Sequence, residues 1–334
     1  MPNKVSISQQ VGLVLGSALP PEEIASAAKS AERLGFDEIW IAEDMFFTGG
    51  IAGANLALGA TEKLRVGLGV VSAVVRHPAL LAIEISTTAR SYPGRLLPGI
   101  GLGVPAWMQQ IGLYPRSPIT AVRECVDTVR RLLSGEEITS ADGAMFHLDH
   151  VRLAHPISEE PSVNVGVIGP KMLEMAGEVG DGAILSVGAG LDYLQFARKQ
   201  LDLGRQRSGR PGSCRVTQYA ICSVSTDRET ALAAAKEALT FYTIASGRNA
   251  LTDAAGISDQ VLDIIKSGGT LTDMAAKIPD EWVHELTIAG TPADVAARIR
   301  AFHEAGADSV ALFPVPANAA VIEQIGTEVL PLLR

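Results

Sequence analysis

The sequence predicts one (β/α)8 barrel of the TIM type across residues 1–334, with a helical insertion between its seventh and eighth strands. Three observations predict it. Eight short apolar runs are spread along the chain, most of them followed by a helical stretch. Most of these runs lack polar alternation, as expected of parallel strands covered on both faces. One helix-to-strand junction also recurs: Leu34-Gly35-Phe36-Asp37-Glu38-Ile39-Trp40-Ile41 has the pattern of Ala305-Gly306-Ala307-Asp308-Ser309-Val310-Ala311-Leu312, and Val179-Gly180-Asp181-Gly182-Ala183-Ile184-Leu185 is a shortened version.

The first strand is expected at residues 11–16. Pro20-Pro21-Glu22-Glu23 then places prolines and acids in a first helical turn, where a missing N–H costs little and a carboxylate meets the positive end of the helix. Ile24, Ala27, Ala28, Ala31 and Leu34 make one apolar face, and Gly35 suits the left-handed residue that ends such a helix. Strands two to four are expected at 38–43, 64–71 and 95–101. Pro98 is a misfit, because proline donates no ladder hydrogen bond; the fourth strand either begins near Gly99 or carries a bulge. The polar, Pro-rich residues 134–162 read as connection with a short hairpin.

Strand five (163–168) ends at Gly169-Pro170, and a helix runs from Lys171 to Val179. Strand six (183–187) opens into a small, Gly-rich turn, Ser186 to Gly190. Both turns fall at the carboxyl ends of parallel strands, where backbone N–H groups can cradle an anion such as a phosphate. Strand seven is expected at 214–224. The helical segment 241–285 reads as a lid at the functional face of the barrel, within a single domain. Thr291-Pro292-Ala293-Asp294 has the N-cap, proline and acid of a helix start, and strand eight is expected at 308–313.

Composition narrows the partners. The chain is 47% hydrophobic and 19% charged, enough apolar material for a full core. A net charge of −9 with no basic run argues against nucleic acid, while a small anionic ligand remains compatible with local donors. Cys125, Cys214 and Cys222 have no CxxC spacing and read as buried thiols of a reducing compartment. The first ten residues lack an apolar signal core, and the weakly charged run from Val66 to Val75 is too short to span a bilayer. The expectation is a soluble, cytoplasmic protein without a membrane partner.

In a barrel, chemistry sits where strands end and loops begin. That rule singles out Glu43 and Asp44 after strand two, Gly69, Val70 and Ser72 at strand three, and Arg76-His77-Pro78 beyond it. It adds Trp107 after strand four, Gly169-Pro170 after strand five and Ser186-Val187-Gly188 after strand six. Each has a plainer reading. Glu43 and Asp44 suit a helix cap, His77 before proline suits a helix start, Gly69, Gly101 and Gly103 suit tight barrel packing, and Trp107 suits a loop core. The six histidines form no metal motif, and there is no GxSxG elbow or Walker loop.

The ordered strings WIAED, LRVGLGVVSAVVRHP, GRLLPGIGLGVPAWMQQIG and VGVIGPKMLEMAGEVGDGAILSVGAG, closed by AGTPADVAARIRAFHEAGADSVALFP, resemble the bacterial luciferase-like superfamily. Within it the chain is similar to the branch of deazaflavin-dependent reductases related to methylenetetrahydromethanopterin reductase. The resemblance implies a barrel, usually dimeric, binding coenzyme F420 or FMN at the carboxyl ends of the strands. It also implies that Gly69-Val70 is a non-prolyl cis peptide backing the tricyclic ring. Ser72, Glu43 and Asp44 would face the ring edge and the substrate, and protons would come from water or from the two acids. Gly169-Pro170 would lie along the ribityl chain, and Ser186-Val187-Gly188 would hold the phosphate.

The departures from that branch are equally specific. Met45 stands where many deazaflavin enzymes carry histidine after the Asp. Val104 and Trp107 stand near the glutamate and asparagine positions of the related sugar-phosphate dehydrogenases, and Ala189 replaces a lysine beside the phosphate loop. Met45, Val104 and Trp107 therefore point to an apolar substrate pocket. The implied function is hydride transfer between reduced coenzyme F420 and an electrophilic C=C or C=N bond of a small organic substrate. The alternatives are an FMN-dependent monooxygenase and a non-catalytic flavin-binding barrel.

Overall fold

Apolar runs covered on both faces become the staves of a barrel. The computed structural model of the chain describes residues 9–159 and 162–334. Its strands are β1 (Gln10–Leu15), β2 (Glu38–Ile41), β3 (Arg65–Leu68), β4 (Val71–Ser72), β5 (Leu96–Leu97), β6 (Gly99–Gly101), β7 (Asn164–Gly166), β8 (Gly182–Leu185), β9 (Arg215–Val224), β10 (Ile288–Gly290) and β11 (Ser309–Pro314). Every pairing between them is parallel, in the order β4-β6-β7-β8-β9-β11-β1-β2-β3-β5. The two ends of that path belong to the same pair of staves. β3 runs on into β4 and β5 into β6, with Val66 beside Leu96 and Val71 beside Ile100, so the sheet closes on itself.

All eight expected strands are present, and two are broken where the chain departs from regular backbone. The third is interrupted at Gly69-Val70. The fourth breaks at Pro98, whose carbonyl accepts from Asn164 N at 2.7 Å and from its side-chain amide at 3.1 Å. One strand went unforeseen: β10 pairs with the far end of β9, Ile288 opposite Cys222. Its three residues are too few to carry a pattern. The connection after residue 134 holds the expected hairpin as a single antiparallel bridge, Ile138 to Val151. The first eight residues, which include most of the stretch searched for a signal, lie outside the described residues.

Helices start and stop where the sequence chemistry requires. The helix Ile24–Leu34 ends at Gly35 with φ +88°, and Pro292–Glu304 begins with a capping box between Thr291 and Asp294. His77 caps the helix Pro78–Ser91 through Nδ1, which accepts from Ala79 N at 3.3 Å, so its plainer reading holds. Residues 241–285 are helical for most of their length, from the end of Arg228–Ser246 through Ala250–Ala254, Ser258–Ser267, Leu271–Ala275 and Asp280–Leu286. No helix among the described residues is long and apolar enough to cross a membrane.

The barrel interior is polar at its base and aromatic above. Glu38 is fully buried; its carboxylate takes Arg215 at 2.7 Å, Arg65 at 3.1 Å, the Ser309 hydroxyl at 2.6 Å and the Trp40 indole N–H at 2.9 Å. Burial pushes the Glu38 carboxyl upward, but Arg215, Ser309 and Arg65 outweigh it and hold it below its ordinary value. Val14, Trp40, Ile184, Tyr219 and Ala311 fill the next level, with Trp40 and Tyr219 edge to face at 5.8 Å. Sequence reading placed Glu38 on a strand without recognising it as a barrel-floor charge.

Candidate active site

Above the aromatic level the chain opens at the carboxyl ends of the strands. There the Gly69-Val70 peptide is cis, and both residues are half-buried. Gly69 N donates to Ile41 O at 2.8 Å, which ties the break to β2. The Val70 side chain fills space left by two glycines of the neighbouring staves. A Cβ at Gly101 or Gly166 would come within 2.6 or 2.8 Å of its methyl carbons.

Glu43 and Asp44 leave β2 side by side and have different partners. The Glu43 side chain is only 4% exposed; it takes both terminal nitrogens of Arg76, at 2.6 and 2.8 Å, and accepts from Gly50 N at 2.8 Å at the start of the helix Gly50–Ala60. Both of its oxygens are thereby committed to the protein. Asp44 is half-buried, and among the described residues only one of its carboxylate oxygens is bonded, accepting from Ser17 Oγ at 2.6 Å. Tyr242, from the helix Arg228–Ser246, is near enough to feel that carboxylate. Burial, with the Asp44 charge adding to it, pushes the Tyr242 phenol up to about 12. The Tyr242 ring meets Phe313 of β11 edge to face at 5.7 Å.

The remaining predicted residues divide between wall and support. Ser72 is 2% exposed, and its hydroxyl donates to Leu102 O at 2.7 Å, so it ties β4 to the loop after β6. Met45 is half-buried and leads into Phe46, which has φ +76° and is 68% exposed, and Phe47. A bulky side chain in left-handed backbone is uncommon and marks a loop held by its surroundings. Phe47 and Trp107 face one another at 6.5 Å, which joins the loops after β2 and β6. Val104 is exposed at the start of the short helix Pro105–Gln110 that carries Trp107.

The two expected anion turns are linked. Gly169 caps the helix Pro170–Val179, and the carbonyl just before it, Ile168 O, accepts from the Tyr193 hydroxyl. Tyr193 belongs to the helix Leu191–Ser208, which the second turn feeds directly. In that turn Gly188 has φ +82° and no atom within 4 Å of where a Cβ would stand. The Gln218 side chain donates to Ser186 O at 3.1 Å from β9. The turn combines open space at Gly188 with the start of an 18-residue helix, the positive end of its dipole. No cluster of metal-ligating side chains occurs among the described residues.

Sequence reading thus missed Ser17, Tyr242, Phe313, Gln218 and Tyr219. Ser17 obeys the same strand-end rule as Asp44 and was findable after β1. Tyr242 and Phe313 meet only through tertiary packing.

Comparison with known proteins agrees with this architecture. The chain is 31% identical over 323 residues to a 5,10-methylenetetrahydromethanopterin reductase of Methanolobus tindarius, an alignment covering 93% of this chain and 96% of the relative. It is 29% identical over 208 residues, 57% of its length and 60% of the relative, to an F420-dependent glucose-6-phosphate dehydrogenase of Nakamurella multipartita. The solved structure of the coenzyme F420 dependent tetrahydromethanopterin reductase from Methanopyrus kandleri superposes with a TM-score of 0.84 at 24% identity, covering 98% of this chain and 99% of that one. The profile described as luciferase-like monooxygenase matches residues 1–309, nearly the whole barrel, and the chain belongs to that family.

Proposed function

We propose that the protein is an oxidoreductase that binds coenzyme F420 at the barrel mouth and serves hydride transfer to an electrophilic C=C or C=N bond of a small organic substrate. The observation that carries this reading is the pairing, at one mouth, of the Gly69-Val70 break with the open Ser186–Gly188 turn at a helix N-terminus. The near full-length likeness to a methylenetetrahydromethanopterin reductase supports it. When bound, the reduced deazaflavin supplies the hydride.

The chain's own residues hold, orient and shield. Gly69 and Val70 back the ring, Gly169 and Pro170 lie along the ribityl chain, and Ser186, Val187 and Gly188 take the phosphate. Of the two acids, Asp44 is the one with an oxygen to spare, so we assign it to hold or pass a proton at the substrate, with Ser17 fixing its angle. Glu43 positions the loop through Arg76. Met45, Val104 and Trp107, with Phe47, make an apolar wall that keeps water from the substrate side. Residues 241–285 act as a lid whose last helix packs by the phosphate turn. A Cβ on Gly190 would stand 3.3 Å from Glu285 O.

We further infer a cytoplasmic homodimer. Leu56, Leu80 and Ile83 are exposed on the neighbouring helices Gly50–Ala60 and Pro78–Ser91, the first of which has no charged residue, and all three cysteines are free and buried. Sedimentation equilibrium of the full chain tests the dimer. Titration of the purified apoprotein with coenzyme F420 and with FMN at fixed salt tests the function. A Kd for F420 of about 1 μM, roughly −8 kcal/mol, with much weaker FMN binding is expected. Tighter FMN binding with oxygen consumption in the presence of substrate overturns it in favour of a monooxygenase.

A further inference from the structure

Under the Gly69-Val70 break stands a hydroxyl that the fold does not use. Tyr219 projects from β9 into the barrel, its oxygen is buried, and no hydrogen-bond partner among the described residues reaches it. Its ring cannot swing away. Trp40 holds it edge to face at 5.8 Å, and Val14, Ile184 and Ala311 pack around the same level. Trp40 is itself locked, with its indole N–H on Glu38 and its ring in space that a side chain on Gly67 would occupy, 2.1 Å from a Cβ there. The free end of Tyr219 is therefore fixed in height, directly below Gly69. A Cβ at Gly69 would lie 1.9 Å from the Tyr219 oxygen and 3.1 Å from the ring carbon that bears it.

An unpaired buried hydroxyl is destabilising, so phenylalanine, with the same shape and no oxygen, would serve the core better. We propose that Tyr219 is a positioning residue for the cofactor platform: its oxygen is the stop on which Gly69 rests, and it sets how far the Gly69-Val70 peptide stands up into the mouth. The next residue on the same strand supports the other half of the site, since Gln218 donates to Ser186 O at 3.1 Å. β9 thus spaces the ring platform from the phosphate turn. This inference rests on the proposed cofactor reading.

The test is a double-mutant cycle on the full chain with Tyr219→Phe, Gly69→Ala and the two combined. Thermal midpoint without cofactor, Kd for coenzyme F420 and the absorption maximum of bound F420 are read for each. Tyr219→Phe is expected to raise the midpoint, weaken F420 about tenfold and shift the bound spectrum; stability and affinity thus move in opposite directions. Gly69→Ala is expected to lower the midpoint and abolish binding, because its methyl meets the oxygen. The double variant, with that oxygen gone but the ring carbon still 3.1 Å from the new methyl, is expected to regain part of the lost midpoint and to bind F420 measurably where Gly69→Ala does not.

Unchanged affinity in Tyr219→Phe overturns the proposal. So does a lowered midpoint, which would mean that a trapped water satisfies the hydroxyl, and so does a double variant no better than Gly69→Ala. If the wild-type chain fails to bind F420, the cofactor reading fails separately. The midpoints alone then decide whether the Tyr219 oxygen sets Gly69.

Discussion

Arg76 closes on Glu43 with both terminal nitrogens, Nη1 to Oε1 at 2.6 Å and Nη2 to Oε2 at 2.8 Å, while its Nε faces Glu84 at 3.3 Å. A planar fork on a carboxylate fixes angle as well as distance. The ion pair thereby joins the loop after β2 to the segment beyond β4, the two flanks of the Gly69-Val70 break.

Removing one partner of this pair should cost more than removing an exposed one. Arg76→Met leaves a nearly buried Glu43 carboxylate facing no cation, and a loss of about 3 kcal/mol in urea unfolding is expected. A loss under about 1 kcal/mol, the range of exposed pairs, would show that solvent reaches the site.

Asp44→Asn keeps the shape and the Ser17 contact but removes the proton-bearing group. The rate of the chemical step is expected to fall by about 100-fold or more, with F420 affinity within about threefold of wild type. A parallel loss of affinity and rate would instead make Asp44 a cofactor ligand.

Gly188→Asp and Gly188→Asn impose similar backbone cost at φ +82°, since both residues tolerate left-handed backbone better than most. Only Asp adds charge. If the phosphate sits in this turn, Asp should weaken F420 binding by at least about tenfold beyond Asn in an equilibrium titration, with the gap shrinking at high salt. Equal affinities would move the phosphate elsewhere.

Acid should find the barrel floor. Because Glu38 is held below its ordinary value of 4.5, the stability it contributes is complete above that value and is lost as pH falls through the lowered folded value. Glu38→Gln is expected to be about 3 kcal/mol less stable at neutral pH, with the difference narrowing only below pH 4.5 in denaturant titrations. A difference that stays constant into strong acid would contradict the ion-paired floor.

Hydrogen exchange reads the lid. Amides of residues 241–285 are expected to exchange faster than those of β8 and β9 without cofactor and to slow once F420 is added. Uniform protection in both states would make this segment part of the rigid frame.

How much was legible depended on whether the signal was local. Continuous apolar runs revealed the staves, and Gly35, Pro98 and Thr291 revealed ends and breaks, because each acts through its own backbone. The turns at Gly169 and Ser186 were readable for the same reason. Glu38 and Tyr219 were not, since a strand pattern does not say which face turns inward when both faces are covered. Glu43 and Asp44 looked equivalent in sequence; what separates them is Arg76 and Ser17, brought in from 33 and 27 residues away. β10 was too short to announce itself.

The charged floor around Glu38, capped by Trp40 and Tyr219, is a plug as well as a brace. A barrel filled from this end leaves the carboxyl ends of the strands as the face open to a ligand.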